Sequence, residues 1–299
     1  MSLLSSTSGT PERTLSLLQI LAAHEGKMPR GEMVAWMNPR FVQGGVPAAD
    51  SAVAADQTIG AATSLDFVSV VEGQYVLEAG LEVGGLDDLA DLTHQRLLSF
   101  PPDHPDAVLL QAFAFMVARA EQAKGTAWLH GSTNKTIADA INAALPGRLD
   151  TSSEGRRFNE TKIAPYWRWI VAIGLALDLP GDDPHLYVAP RLARELARSD
   201  LPVGEEIPIR RVLDVVAERM PYMDGGGLYV AAAEKLGLPA QARAISPILS
   251  TALRDLDEEG VITLGARSDA AGLLALAEDR FSRTKAVQFA TLNRQAVDA

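Results

Sequence analysis

The side chains best suited to chemistry in this chain are cations near its middle. Arg148, Arg156, Arg157, Lys162 and Arg168 fall between residues 145 and 170, against Asp150, Glu154 and Glu160. Just ahead of them, Asn134, Lys135 and Thr136 stand at the expected start of a helix. Free backbone N–H groups at such a start can hold a phosphate. Tyr166, Trp167 and Trp169 lie close by, and aromatic rings can stack on unpaired bases. The combination suits contact with nucleic acid through phosphates. The aromatics fit core packing better, because Trp167 shares a stripe with Val171 and Leu175.

Other patterns resemble catalytic motifs and fail on geometry. The run from Gly125 to Thr133 has the look of a phosphate-binding loop, but no lysine precedes its Ser132-Thr133 and the glycine spacing is wrong. His104-Pro105-Asp106 lacks a preceding basic helix, and Pro101-Pro102 breaks the chain there. Asp106, Glu121 and Lys124 suggest a metal-dependent nuclease only faintly, since such residues must converge from adjacent strands and these share one expected helix. The five histidines show no metal-ligand spacing, and there is no cysteine. No nucleophile elbow or dinucleotide fingerprint occurs. The expectation is a protein with no catalytic residues, no cofactor and no metal. An enzyme whose site leaves no linear signature is the alternative.

The elements that position these residues read as helices with small hairpins. Thr10 as N-cap and Pro11 behind it start a Leu-rich helix that Gly26 ends. A second helix follows Pro29. Asp50 or Ser51 caps a third, running to about Ser64. Phe67 to Val71 and Gln74 to Leu77 read as two strands around the turn Glu72-Gly73. Three helices and a hairpin is the winged helix-turn-helix order. The C-terminal third repeats it: a helix over 209–219, a second over 228–236, a third starting at Pro239 and ending near Leu256, then a strand at Val261–Leu264. Gly225-Gly226-Gly227 reads as a flexible loop. Leu273–Ala277 reads as the start of a last helix. The middle has helices over 106–122, 134–145 and 162–179, then a short strand at Leu186-Tyr187-Val188. It resembles a degenerate third copy. The expected domains are 1–85, a winged helix; 86–200, a helical middle; and 201–299, a winged helix with a terminal helix. The fold class is mainly α with small β-hairpins, arranged as tandem winged helix-turn-helix units.

Charge divides these units by role. The formal net charge is −11, which opposes nucleic-acid binding as an average over the surface. Residues 1–100 hold 5 Lys/Arg against 12 Asp/Glu, whereas 120–200 hold 10 against 10. The third helix of the first copy carries only Asp56 and Gln57 beside Asp50, a poor phosphate surface that suits protein contact. In the last copy Gln241, Arg243, Arg254 and Arg267 are diluted by Asp255 to Glu259. The N-terminus lacks a secretion signal, and the apolar stretch Trp169–Leu179 is too short to span a bilayer. A cytoplasmic location follows as the expectation.

The opening Met-Ser-Leu-Leu-Ser-Ser-Thr-Ser-Gly-Thr-Pro, the Leu-rich first helix and the Arg30/Glu32 start of the second resemble the DpdG family. The resemblance implies a non-catalytic accessory subunit, encoded in bacterial clusters that place 7-deazapurines in DNA and act in restriction or phage defence. Its implied partners are larger motor and nuclease proteins, such as a helicase. No functional residue transfers with it. The expected function is a DNA-associated winged-helix adaptor of a DNA-modification or phage-defence system, with DNA and protein partners, no membrane, and room for a homodimer. The alternatives are a winged-helix transcription regulator and an interaction scaffold without DNA contact.

Overall fold

The N-terminal helix forms where its caps require. Thr10 accepts the Arg13 N–H at 3.4 Å, and Pro11 fills the first turn, where no N–H is needed. The resulting computed structural model describes residues 2–38, 52–145, 158–180, 184–239, 244–267 and 272–293, with the backbone alone at 42–43 and 46–47.

Along the chain run α1 (Pro11–Ala23), β1 (Lys27–Pro29), α2 (Arg30–Met37), β2 (Val42–Gln43), β3 (Val46–Pro47), α3 (Val53–Ser64), β4 (Val68–Val71) and β5 (Gln74–Leu77). Then come α4 (Leu86–Ser99), α5 (Val108–Ala123), α6 (Ala127–His130), α7 (Asn134–Ala144), α8 (Ile163–Ala172), β6 (Ala176–Leu177), β7 (His185–Leu186) and α9 (Ala189–Ala197). The last part holds β8 (Glu206–Pro208), α10 (Ile209–Arg219), α11 (Gly227–Lys235), α12 (Pro247–Glu258), β9 (Ile262–Gly265), β10 (Leu274–Ala275), β11 (Ala286–Val287) and β12 (Phe289–Leu292). The fold is mainly α with small antiparallel sheets. Two compact units form: Met1–Leu109 with Thr161–Ile173, and Leu110–Glu160 with Gly174–Ala299.

In the first unit, Glu72 and Gly73 take φ of 51° and 78°, and this two-residue turn joins β4 to β5. β1 adds to the far side of β5, with Met28 opposite Tyr75, so the sheet order is β1-β5-β4. Leu17, Leu18 and Leu21 of α1, Met33 of α2, Ile59 and Ala62 of α3, and Phe67 and Val68 are all buried. Asp106 closes this unit. Its carboxylate accepts the Leu3 N–H at 2.8 Å and the Ser64 hydroxyl. Burial pushes its pKa up, and those two donors hold it down. The His-Pro-Asp tripeptide is thus a structural corner: the His104 Nδ1 accepts the Asp106 N–H at 3.2 Å, and the ring stacks on Phe100.

The second unit closes in the same manner. β8 pairs with β12, and β12 with β9, giving the order β8-β12-β9. Buried α12 side chains Ile248, Leu249, Ala252, Leu253 and Leu256 form its centre. A buried ionic cluster supports α9 and α10: Glu195 accepts from Arg191 at 3.4 Å and from Arg219 at 3.2 Å.

Several boundaries depart from the sequence reading. α8 stops at Ala172, because Gly174 turns at φ 78° and the chain enters β6, where Ala176 faces Leu186. α12 starts at Pro247 with Ser246 as N-cap, not at Pro239. Leu274-Ala275 is a strand paired with Ala286-Val287 rather than a helix start. The N-caps Asp50 and Ser51 lie outside the described residues.

The glycine triplet also differs from the expected flexible loop. Gly225 has φ 78°, Gly226 is the N-cap of α11, and Gly227 begins that helix. The carbonyl of Pro221 accepts the Leu228 and Tyr229 N–H groups at 2.9 and 3.1 Å. A Cβ on Gly226 would lie 2.4 Å from that carbonyl oxygen, while one on Gly227 meets nothing within 4 Å. Gly226→Ala should therefore lower stability by roughly 2–4 kcal/mol, and Gly227→Ala should stay within about 1 kcal/mol of wild type or exceed it. Urea unfolding midpoints of the two variants measure the contrast.

Candidate nucleic-acid interface

Five of the eight cationic and polar candidates lie among the described residues. Arg148, Arg156 and Arg157 lie outside them. Asn134, Lys135 and Thr136 form the exposed first turn of α7, as the spacing requires. The chain already serves this terminus itself. Thr133 accepts the Thr136 N–H at 3.2 Å, and Lys135 pairs with Asp139 at 2.7 Å. A lysine neutralised at i+4 is a weaker phosphate partner, although such exposed pairs hold by only about 0.5 kcal/mol and open readily.

Lys162 and Arg168 belong to the other unit, at the start and on the exposed side of α8. Arg168 donates to the Thr7 carbonyl at 2.6 Å. Tyr166 and Trp169 are core residues, 0% and 1% exposed. Trp167 is the half-buried member and meets the Tyr166 ring edge-on at 5.3 Å.

The third helices do not offer base-reading faces. In α3, Gln57 accepts the Ser8 N–H at 2.7 Å and Asp56 pairs with Arg30 at 2.6 Å. The exposed positions at the end of α12 are Glu258 and Glu259, with Asp255 half-buried beside them. Arg254 is withdrawn from any ligand, being 5% exposed with its guanidinium on carbonyls of its own unit. Arg267 remains exposed, pairs with Glu206 at 2.5 Å and lies over the Phe289 ring at 5.5 Å. Gln241 and Arg243 lie outside the described residues.

The sequence reading missed another basic segment. Arg280, Phe281, Arg283 and Lys285 are exposed on the loop that joins β10 to β11. The signal was present as cations interleaved with an aromatic and hydroxyls, Arg280-Phe281-Ser282-Arg283-Thr284-Lys285.

Carboxylates form the other concentration of polar groups. Ser246 donates its N–H to Asp224 at 2.7 Å and its hydroxyl at 2.5 Å. The Tyr229 hydroxyl donates to Glu121. Desolvation, opposed by the Ser246 donors and helped by the nearby Glu121 charge, raises the Asp224 pKa to about 6. A carboxyl near neutrality can serve as an acid or base. Here both of its oxygens already hold Ser246, the N-cap of α12, so its evident work is to fix that helix start. Asp106 and Glu121, two of the nuclease-like trio, are each engaged within their own unit by Leu3 and Ser64 and by Tyr229. Among the described residues no group of three His, Asp or Glu side chains is placed to hold a metal ion, and no helix is long and apolar enough to cross a membrane.

The observed class is therefore a helix-rich protein with two small three-stranded sheets and scattered basic surface. A family model described as DpdG-like matches residues 1–270, and the chain belongs to that family. The membership associates it with Dpd modification systems. Neither the curated proteins nor the solved structures compared with the chain contain a match.

The raised pKa of Asp224 has a measurable consequence. Between about pH 4 and pH 6 the unfolded chain has lost this proton and the folded chain retains it. The stabilisation is complete below about pH 4 and is lost as pH rises through about 6. Asp224→Asn keeps an acceptor for the Ser246 N–H and cannot ionise. Relative to wild type it should gain on the order of 1–2 kcal/mol as pH rises from about 4 to 7. Urea midpoints across that range, with parallel profiles as the contrary result, check it.

Proposed function

We propose that the protein is a non-catalytic, DNA-associated winged-helix adaptor of a bacterial Dpd modification or phage-defence system. The family match over residues 1–270 is the observation that carries the reading. The fold supports the winged-helix part. α1, β1, α2, α3 and the β4–β5 hairpin follow the winged-helix order, with the short strand β1 added to the hairpin. The last part supports it with different helices from those the sequence order suggests: α9, β8, α10, α12, β9 and β12 follow the same order, and α11, expected as the second helix, stands as an insertion.

The winged-helix surface of the first unit and the basic segments, Lys162 and Arg168 of that same unit among them, suit different partners. In the acidic first unit, the polar groups of the third helix are bound by its own chain, and Val70 and Val71 at the hairpin are 60% and 52% exposed. That surface suits a protein partner, such as the helicase or nuclease of the system. DNA contact belongs to the basic segments: Lys135 and its neighbours, the arginines at 148, 156 and 157, Lys162 and Arg168, and the basic loop of the last unit. A sequence-specific regulator is less well supported, because neither α3 nor α12 presents a row of base-reading side chains. A scaffold without DNA contact is favoured by the charge of −11 alone.

A salt titration of the full chain on duplex and single-stranded oligonucleotides tests the reading. Binding should appear at low salt, weaken steeply and linearly in the logarithm between about 50 and 200 mM, and vary little with sequence. Arg156→Glu with Arg157→Glu should weaken it and flatten the slope. No binding at low salt would rule out DNA contact and leave the scaffold. Binding insensitive to the double reversal would remove those two arginines from the interface.

A further inference from the structure

Between β9 and β12, where a winged helix carries its wing, residues 274–287 build a second hairpin. β10 and β11 pair through Leu274 with Val287 and Ala275 with Ala286. The Leu276 N–H donates to the Lys285 carbonyl at 3.0 Å and closes the loop 277–284. α12 grips both sides of its neck. Ser250 Oγ accepts the Ala277 N–H at 2.9 Å, and Arg254 donates to the Ala277 carbonyl at 2.7 Å and to the Thr284 carbonyl at 3.1 Å.

The tip has internal ties as well. Asp279 accepts the Phe281 N–H at 2.8 Å, and hydrogen bonds from the Phe281 and Ser282 backbone hold its carboxyl below the usual range. Lys285 Nζ donates to the Asp279 carbonyl, and the Ser282 hydroxyl accepts the Thr284 N–H at 3.2 Å. What this framework holds out is Phe281, 96% exposed, between the exposed Arg280 and Arg283.

Leaving a phenylalanine in water forgoes roughly 2–3 kcal/mol of burial. Isolated exposed apolar side chains are common, but this one projects from a loop with two anchors and two turn bonds. Cations on both sides, in a chain of net charge −11, point to an anionic partner that also offers a flat apolar face. Nucleic acid has both.

Resting on the DNA-associated reading above, we propose that this loop is a contact for unpaired DNA, in which the Phe281 ring stacks on a base and Arg280 and Arg283 take the flanking phosphates. Magnitudes favour the unpaired form. One stacked base contributes about 1–3 kcal/mol, while opening a duplex step costs a few kcal/mol. One ring and two arginines cannot open a stable duplex, but they can hold a base that is already exposed.

The test uses the full chain and a fluorescent mixed-sequence single strand, with the matching duplex and anionic vesicles as further probes. Wild type should prefer the single strand to the duplex. Phe281→Ala should weaken single-strand binding about ten-fold or more with an unchanged salt slope, and Phe281→Trp should restore it. Arg280→Ala with Arg283→Ala should lower the slope by about 1–1.5, as loss of two phosphate contacts requires. The ring is fully exposed, so these variants retain the fold. If wild type binds DNA but Phe281→Ala binds equally well, this proposal falls and the DNA reading stands. If wild type binds no DNA, both fall. Vesicle binding lost in Phe281→Ala with DNA binding unaltered would assign the ring to a lipid surface and also overturn the proposal.

Discussion

A guanidinium buried inside a helical layer must find acceptors, because an uncompensated buried charge costs several kcal/mol. Arg254, at the centre of α12 and 5% exposed, finds them in the carbonyls of Ala277 and Thr284. The shape of the second unit's outer half depends on this. The connection from β9 to β12 buries Leu274, Leu276 and Val287, but its tip has no apolar anchor. Arg254 and Ser250 instead set its neck against α12, and the neck sets β10 and β11. The start of α12 is fixed in turn by Asp224 on Ser246. Asp224, in the connection between α10 and α11, holds the start of α12, and Ser250 and Arg254 on that helix hold the neck of the loop.

Each unit is closed by a three-residue strand that is remote in sequence from its partner. β1 meets β5 and β8 meets β12, and each short strand leads directly into a helix through a proline, Pro29 or Pro208. Proline suits that place, since it ends the strand and fits the helix entry without a needed N–H. The similarity of closure accompanies a difference of surface. The first unit spends polar side chains on its own N-terminal segment, through Gln57 and through Asp106, which Ser64 supports in turn. The second leaves Arg280, Arg283 and Lys285 outward on the loop between β10 and β11.

Much of this was legible in the sequence where the signal is local. The Thr10 cap, the helix start near Asn134, the Glu72-Gly73 turn and the apolar stripe of α5 announce their elements. What was not legible is what partners decide. β1 and β8 are too short to show alternation, and only their distant partners make them strands. α9 was missed because its stripe of Leu192 and Leu196 is narrow and its buried Arg191 and Glu195 look like surface residues until they meet Arg219. Arg254 seemed available for DNA for the same reason. The site was legible only in pieces. Asn134, Lys135 and Thr136 begin a helix as expected, but the Lys135 pairing with Asp139 lies one helical turn on, and Phe281 looked ordinary without knowledge that its neighbours hold it out.

The central proposal is that DNA is met by the basic segments, among them the loop between β10 and β11, and not by α3 or α12. Hydrogen–deuterium exchange of the full chain, with and without a saturating single-stranded oligonucleotide at low salt, tests it most directly. The account predicts added protection over 276–285 and the first turn of α7, and none over α3 or the exposed end of α12. Protection confined to α3 and the β4–β5 hairpin, with the 276–285 loop unchanged, would contradict it.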